Sequence, residues 1–307
     1  MHLALKVDVD TLRGTREGVP ALTAALHTAG ANATFLFSLG PDHTGRAIRR
    51  VFRRGFLGKV SRTSVVGHYG FRSLLYGTLL PGPDIGRRAG DAMRAVREAG
   101  FEVGVHCHDH TLWQDFVARR DTAWTARQMQ LAVDGFERVF NERPRVHGAA
   151  GWQMNDDAFR LEDQLGFEFA SDTRGEGPFV PVVDGREIRC PQLPTTLPTL
   201  DELIGLDGVT EANAAATVLR LTAQPRAGHV FTLHAEIEGL RLLPVLLNLL
   251  AGWRRQGYQL VDLRTLWRGL SPDALPRCAV QYGTRPGRTG TLAVQGVPLS
   301  RGQAQPA

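Results

Sequence analysis

Only three cysteines occur in 307 residues; Cys107, Cys190 and Cys278 lie far apart and form no CxxC pair. That scarcity excludes a disulfide scaffold and points to a reducing compartment. The longest apolar run, Leu242 to Trp253, has 12 residues, short of the roughly 20 that a membrane-spanning helix needs. Gly18 to Pro41 lacks charge, yet Pro20, Gly30, Asn32 and Gly40 interrupt it. Charge arrives early, at Lys6, Asp8 and Asp10, before any apolar core of a secretory signal, so no such signal is expected. The sequence has no internal repeat. With 43% hydrophobic and 22% charged residues, it is neither disordered nor collagen-like and can bury a core.

Acid is missing from one place. Between His43 and Pro83 there are eight basic residues (Arg46, Arg49, Arg50, Arg53, Arg54, Lys59, Arg62 and Arg72) and no acidic one. Elsewhere 28 basic residues face 31 acidic ones, a balance of −3, so the formal charge of +5 belongs to this segment. Its core, RAIRRVFRRGFLGKVSR, places Ile48, Val51, Phe52, Phe56, Leu57 and Val60 near helical spacing with arginines between them. A helix lying in anionic headgroups has this pattern, with Arg49, Phe52, Arg53 and Phe56 as candidate membrane contacts. An ordinary solvated helix packed on the domain is the plainer alternative. No nucleic-acid-binding motif accompanies the charge, and nucleic acid is not an expected partner.

Strand-length apolar runs alternate with amphipathic stretches. Strands are expected at Leu3–Asp10, Ala33–Leu39, Glu102–His106, Arg145–Ala149, Phe167–Ser171, His229–His234 and Tyr258–Leu263. Helices are expected at Glu17–Thr28, Asp84–Ala99, Thr122–Phe140, Asn155–Leu165, Glu211–Thr222 and Leu240–Arg255. Such alternation predicts a parallel sheet covered by helices, and about seven units fit a (β/α) barrel better than an open sheet. One domain is expected over 1–270, carrying the basic insertion at about 43–83. From Ser271 the pattern dissolves into Pro, Gly, Arg and Gln, so 271–307 reads as a mobile tail.

Three strand ends carry unusual polar groups, and the C-terminal ends of barrel strands are where function collects. In VDVD, Asp8 and Asp10 stand two apart and share a face; like charges so placed call for a cation or a shared proton. In HCHDH, a helical turn would make His106 and His110 i,i+4 partners at a common metal-ligand spacing, with His108 and Cys107 pointing elsewhere. In FTLHAE, His234 ends a buried-looking strand. One Asp with two His would give a three-ligand site with open positions, leaving a second Asp and a further His as base and acid.

These motifs, in this order, resemble the polysaccharide deacetylase (NodB-homology) family. The resemblance implies a distorted (β/α) barrel and one divalent ion, Zn, Mn, Co or Ni. It implies Asp8 as base, Asp10, His106 and His110 as metal ligands, and His234 after Leu233 as general acid. Further strings, DVDTLRGTREGVP, SLGPD, AAGW, SDTRG, LPTTLPTLDE and TLHAEIEG, are similar to a branch that deformylates a sugar carried on undecaprenyl phosphate. That branch implies formamido-arabinose on the lipid carrier as substrate and an anionic membrane surface as partner, on the cytoplasmic face of the bacterial inner membrane. The consequence would be lipid A modification and polymyxin resistance. The alternatives are a deacetylase of another N-acyl glycan and a non-catalytic sugar-lipid binding protein. Trp152, Asp172 and Arg174 are further candidates for the substrate wall. The family's third motif offers an arginine to hold the catalytic Asp, whereas this chain reads GAAGW at Gly148–Trp152; Lys6 or Arg174 is expected to replace it in part.

Overall fold

A computed structural model describes residues 1–46, 73–224, 226–288 and 290–300. In chain order the elements are β1 (His2–Val9), α1 (Val19–Thr28), β2 (Thr34–Ser38), α2 (Ile85–Glu98), β3 (Glu102–Cys107), α3 (His110–Phe116) and α4 (Thr122–Phe140). There follow β4 (Val146–His147), α5 (Asp156–Leu165), β5 (Phe169–Ala170), β6 (Val180–Val183), β7 (Arg186–Glu187), α6 (Leu200–Leu203) and α7 (Glu211–Leu221). The chain then runs through β8 (His229–His234), α8 (Leu243–Arg255), β9 (Gln259–Val261), α9 (Leu263–Arg268), β10 (Arg277–Gly283) and β11 (Leu292–Pro298). Asp84, Asp109, Asp121, Asn155 and Asp262 each cap a helix by accepting a backbone N–H of its first turn, worth about 1 kcal/mol apiece.

Seven strands form a curled sheet in the order β5-β4-β3-β2-β1-β8, with β9 paired to the start of β1. All its pairings are parallel, as expected for strands joined by crossover helices. Strand alternation divides the core in two. Leu3, Leu5, Val7 and Val9 of β1 face outward into the large cluster shared with the helices. On the opposite face, Ala4 joins Leu36, Val146, Phe169, Leu193 and Val230 in the barrel interior, which Leu263 and Leu266 of α9 help fill. Gly104 of β3 belongs here because a Cβ would lie 2.4 Å from Val146 Cγ1.

The barrel closes without a regular strand. Leu193 N–H donates to Ala170 O (2.7 Å) and Thr196 N–H to Val230 O (3.1 Å), so the stretch 191–197 bridges β5 and β8. Prolines at 191 and 194 cannot donate to a ladder, which keeps this closing segment irregular.

Residues 271–300 differ from the expected mobile tail. β10 and β11 pair antiparallel, and β10 adds in parallel to β6, making a second, four-stranded sheet with β7. Cys278 and Ala293 are fully buried there. Arg174 N–H donates to Ala293 O (3.0 Å) and Gln295 N–H to Arg174 O (2.8 Å), so the hairpin is tied to the barrel rim. Gly283, Gly296 and the bulge between Cys278 and Val280 interrupt its apolar alternation, so composition alone suggests a loop. The candidate membrane residues Arg49, Phe52, Arg53 and Phe56 lie outside the described residues, as do 301–307.

Candidate active site

Three parallel strands deliver the site. In the β1–β8 register Asp8 stands opposite His234, and His106 lies near the end of β3. Asp109 caps α3 and accepts Leu112 N–H (3.0 Å), so the helix starts at His110 and turns its imidazole back over His106. The two rings stack with centroids 5.4 Å apart. His108 instead abuts Gly40, and the Cys107 thiol meets the Ser38 hydroxyl (3.3 Å).

Asp10, His106 and His110 form one cluster. His106 Nε2 is 3.2 Å from Asp10 Oδ1, and His110 Nε2 is 3.4 Å from Asp10 Oδ2. Around a tetrahedral ion with bonds of about 2.0–2.2 Å, ligand atoms sit about 3.3–3.6 Å apart, so these spacings fit a shared cation. Asp10 Oδ1 is buried with no hydrogen-bond partner, an unsatisfied acceptor that a cation would complete. His106 Nδ1 donates to Gly148 O; a carbonyl can only accept, which fixes the tautomer and leaves the Nε2 lone pair toward Asp10. Burial would raise the Asp10 carboxyl, but His110 and His106 outweigh it and hold the group below the ordinary range. Side-chain exposure rises from 1% at His106 to 12% at Asp10 and 21% at His110, so the cluster opens on the His110 side.

Asp8 is 3% exposed, with Oδ1 unpartnered and Oδ2 3.3 Å from Lys6 Nζ. Lys6, fully buried one layer deeper in the barrel, also donates to Ser171 O (3.1 Å) and lies 5.2 Å from the Trp152 ring centroid. Of the two expected substitutes for the third-motif arginine, Lys6 is the one at Asp8. Arg174 pairs with Glu202 and donates to Leu197 O (2.9 Å) and Thr195 O (3.2 Å). Breaking a buried pair strands its other charge, at about 3–5 kcal/mol. Lys6→Met should therefore lower unfolding stability by about that much, read from urea melts; an unchanged midpoint would show that the pair does not support Asp8.

His234 carries its own acidic surroundings. Its Nδ1 lies 3.8 Å from Asp201 Oδ1, and its backbone N–H donates to Glu238 Oε2 (2.7 Å). Burial alone would lower the imidazole, but Asp201, Asp10 and Glu238 outweigh it and raise it above the ordinary histidine value. Glu236 organises the first loop instead: Oε1 accepts Asp10 N–H (3.0 Å), Thr11 N–H (2.8 Å) and the Thr11 hydroxyl (2.8 Å). Gly14 is required there, since a Cβ would lie 1.9 Å from the same oxygen. Glu236 stands two residues after His234 in FTLHAE, whereas no role was assigned from the sequence to Asp201 or Glu238; their only signals were the strings LPTLDE and HAEIE.

Trp152, Asp172 and Arg174 do not line an open substrate wall. Trp152 is 1% exposed, with Arg174 and Arg288 guanidinium carbons 4.9 and 4.6 Å from its ring centroid. Arg174 is buried, and Asp172 belongs to a second enclosed cluster with His147 and Glu162. Their sequence pattern marks them as polar residues after strands, but strand ends here turn back into the barrel rim.

A curled parallel sheet that places an Asp/His/His cluster beside Asp8 and His234 at its strand ends is the architecture of the polysaccharide deacetylase (NodB-homology) fold. The fold is similar to the crystal structure of a putative polysaccharide deacetylase from Mycobacterium smegmatis, with a TM-score of 0.59 and 15% identity over 93% of this chain and 96% of that one. No protein-family model matches the chain. It is 37% identical over 242 residues to a probable 4-deoxy-4-formamido-L-arabinose-phosphoundecaprenol deformylase ArnD of Shewanella sediminis (strain HAW-EB3), covering 78% of this chain and 76% of the relative. A protein of the same name from Wigglesworthia glossinidia brevipalpis is 28% identical over 283 residues, covering 92% and 98% respectively. The chain belongs to this ArnD deformylase family, and is thereby a hydrolase acting on amide C–N bonds.

Proposed function

We propose that the chain hydrolyses the formamide of 4-deoxy-4-formamido-L-arabinose-phosphoundecaprenol, releasing formate and the 4-amino sugar lipid for lipid A modification. The observation that carries this reading is the placement of Asp8 opposite His234 in the strand register, directly beside the Asp10/His106/His110 cluster. Asp10, His106 and His110 would hold one divalent ion, Zn, Mn, Co or Ni. The ion, when bound, supplies a water of lowered pKa and Lewis acidity at the carbonyl. Asp8 takes a proton from the attacking water through its unpartnered Oδ1 while Lys6 holds Oδ2. A C–O bond forms as the C–N bond breaks, and protonated His234 delivers its proton to the departing sugar nitrogen. Asp201 and Glu238 favour the charged form of that imidazole.

The substrate's prenyl chain stays in a bilayer, so the enzyme works at an anionic membrane surface. The proposed face is the cytoplasmic one of the inner membrane, in keeping with three free, buried cysteines. Among the described residues no helix is long and apolar enough to cross a membrane. At the C-terminal end of the His43–Pro83 segment, the turn at 76–80 leaves Leu79 81% and Leu80 39% exposed, an apolar edge suited to the headgroup boundary. Burying a leucine is worth about 1.5–3 kcal/mol. Leu79→Glu should therefore cut binding to anionic vesicles by about tenfold or more, measured by co-sedimentation, with hydrolysis of a water-soluble analogue retained.

The reaction is tested by offering the formamido sugar lipid and its acetamido counterpart in vesicles and measuring both acids. Formate released in excess of acetate supports the deformylase; acetate in excess, or neither acid, refutes it in favour of a glycan deacetylase or a binding protein.

A further inference from the structure

Outside the site just described, the described residues contain one other cluster of metal-ligating side chains: His147 at the end of β4, Glu162 of α5 and Asp172 just past β5. All are buried. His147 Nδ1 lies 2.7 Å from Glu162 Oε1 and 2.9 Å from Asp172 Oδ1. Those are hydrogen-bond separations, tighter than the about 3.3–3.6 Å between ligands of a tetrahedral ion. The other carboxylate oxygens are also engaged, Gln192 Nε2 donating to Asp172 Oδ2 (2.8 Å) and Glu162 Oε2 (3.2 Å). The cluster is therefore a proton-bridged network and not a second metal site. Burial alone would lower His147, but the carboxylates of Asp172 and Glu162 outweigh it and raise the imidazole to about 10.

What the network grips is the backbone behind the active site. Asp172 Oδ1 accepts Ala149 N–H (2.6 Å), and Ser171 N–H donates to His147 O (2.9 Å), so strand ends β4 and β5 are clasped together. Each clasped end presents one carbonyl to the site. Gly148 O, between His147 and Ala149, accepts His106 Nδ1–H. Ser171 O, beside Asp172, accepts Lys6 Nζ–H (3.1 Å), and Lys6 holds Asp8. Both carbonyls therefore take their aim from the same buried ion pair.

We propose that the His147–Asp172–Glu162 network is a positioning device: by clasping β4 to β5 it aims Gly148 O at His106 and Ser171 O at Lys6. One rigid element thus orients the metal-ligand side and the base side of the site together. Asp172 is its node and a positioning residue, never touching substrate. The inference rests on the reading of Asp10, His106 and His110 as metal ligands, but its tautomer consequence does not need a metal.

The test uses full-length wild type, Asp172→Ala and Asp172→Asn, with zinc affinity measured by chelator competition and the imidazole nitrogens of His106 followed by NMR. Partners of metal-ligating histidines are typically worth 10–100-fold in affinity. Asp172→Ala should lose about that much, and Asp172→Asn, which keeps an acceptor for Ala149 N–H, should recover part of it. In metal-free wild type, the His106 Nδ1 proton should be held on Gly148 O and exchange slowly, and this signature should be lost or split in Asp172→Ala. Wild-type affinity and an unchanged His106 signal in folded Asp172→Ala overturn the inference alone. If that variant does not fold, the wild-type spectrum decides: exchanging His106 tautomers overturn it. Failure of wild type to bind any of Zn, Mn, Co and Ni overturns the metal assignment, a separate outcome from any tautomer result.

Discussion

His234→Ala should lower kcat by about 10²–10⁴-fold while the protein keeps its metal. The expected split follows from where the imidazole lies. His234 faces Asp201 through Nδ1, at 3.8 Å, and is not part of the Asp10/His106/His110 cluster. Removing it takes away a proton donor and leaves the proposed ligands in place. A pH signature accompanies the loss. His234 is raised above the ordinary imidazole value by Asp201, Asp10 and Glu238 against the opposing effect of burial. Its charged form therefore persists to higher pH than that of an ordinary imidazole, and activity should fall as pH rises through the raised value. The His234→Ala variant should lack this alkaline limb. Loss of metal together with activity would make His234 a ligand and remove it as the acid.

Asp10→Ala should abolish both metal binding and turnover, an effect larger than the 10–100-fold typical of a residue that merely supports a ligand. Asp10 is the residue shared by both imidazoles, with Oδ1 toward His106 and Oδ2 toward His110. Without it, two stacked histidines remain with no carboxylate between them. The fold should survive, because Asp10 lies beyond the end of β1 and its side chain retains 12% exposure. Metal content by atomic absorption and unfolding by circular dichroism distinguish the two effects. Retained stoichiometric metal in Asp10→Ala would refute the proposed ligand set.

Much of this was legible from the residues. Alternation in LALKVDVD places Ala4, Lys6 and Asp8 on one face, and the structure puts that face inside the barrel. Every expected parallel strand is present, His229–His234 at the expected bounds and the others with ends displaced by at most two residues, because strand ends here turn abruptly into loops. His106 and His110 come together because Asp109 caps α3 between them, a start signal readable in HCHDHT. Lys6 stood out less than it should. It is one of two lysines in a chain otherwise charged by arginine, and a strand-borne lysine facing the barrel interior needs an acidic partner.

What local pattern could not supply was closure. The segment 191–197 reads as a proline-broken loop, yet it completes the barrel, because it exchanges only the few hydrogen bonds its non-proline residues permit. The hairpin of β10 and β11 was missed for a related reason: its strands pair with each other and with β6, nearly a hundred residues earlier. The clasp of His147, Glu162 and Asp172 joins three elements that no motif spacing connects. Trp152, Asp172 and Arg174 were recognisable as unusual but not as enclosed, since burial at a strand end depends on what the rest of the chain lays over it.

The most direct test of the central claim is formate release from the formamido-arabinose lipid by protein stripped with a chelator and then refilled with Zn, Mn or Co. The proposed site predicts no formate from the stripped protein and recovery with at least one of these ions, together with one bound ion per chain. Undiminished formate release from protein shown to be metal-free, or no release after refilling with any of them in detergent and in vesicles, would contradict it.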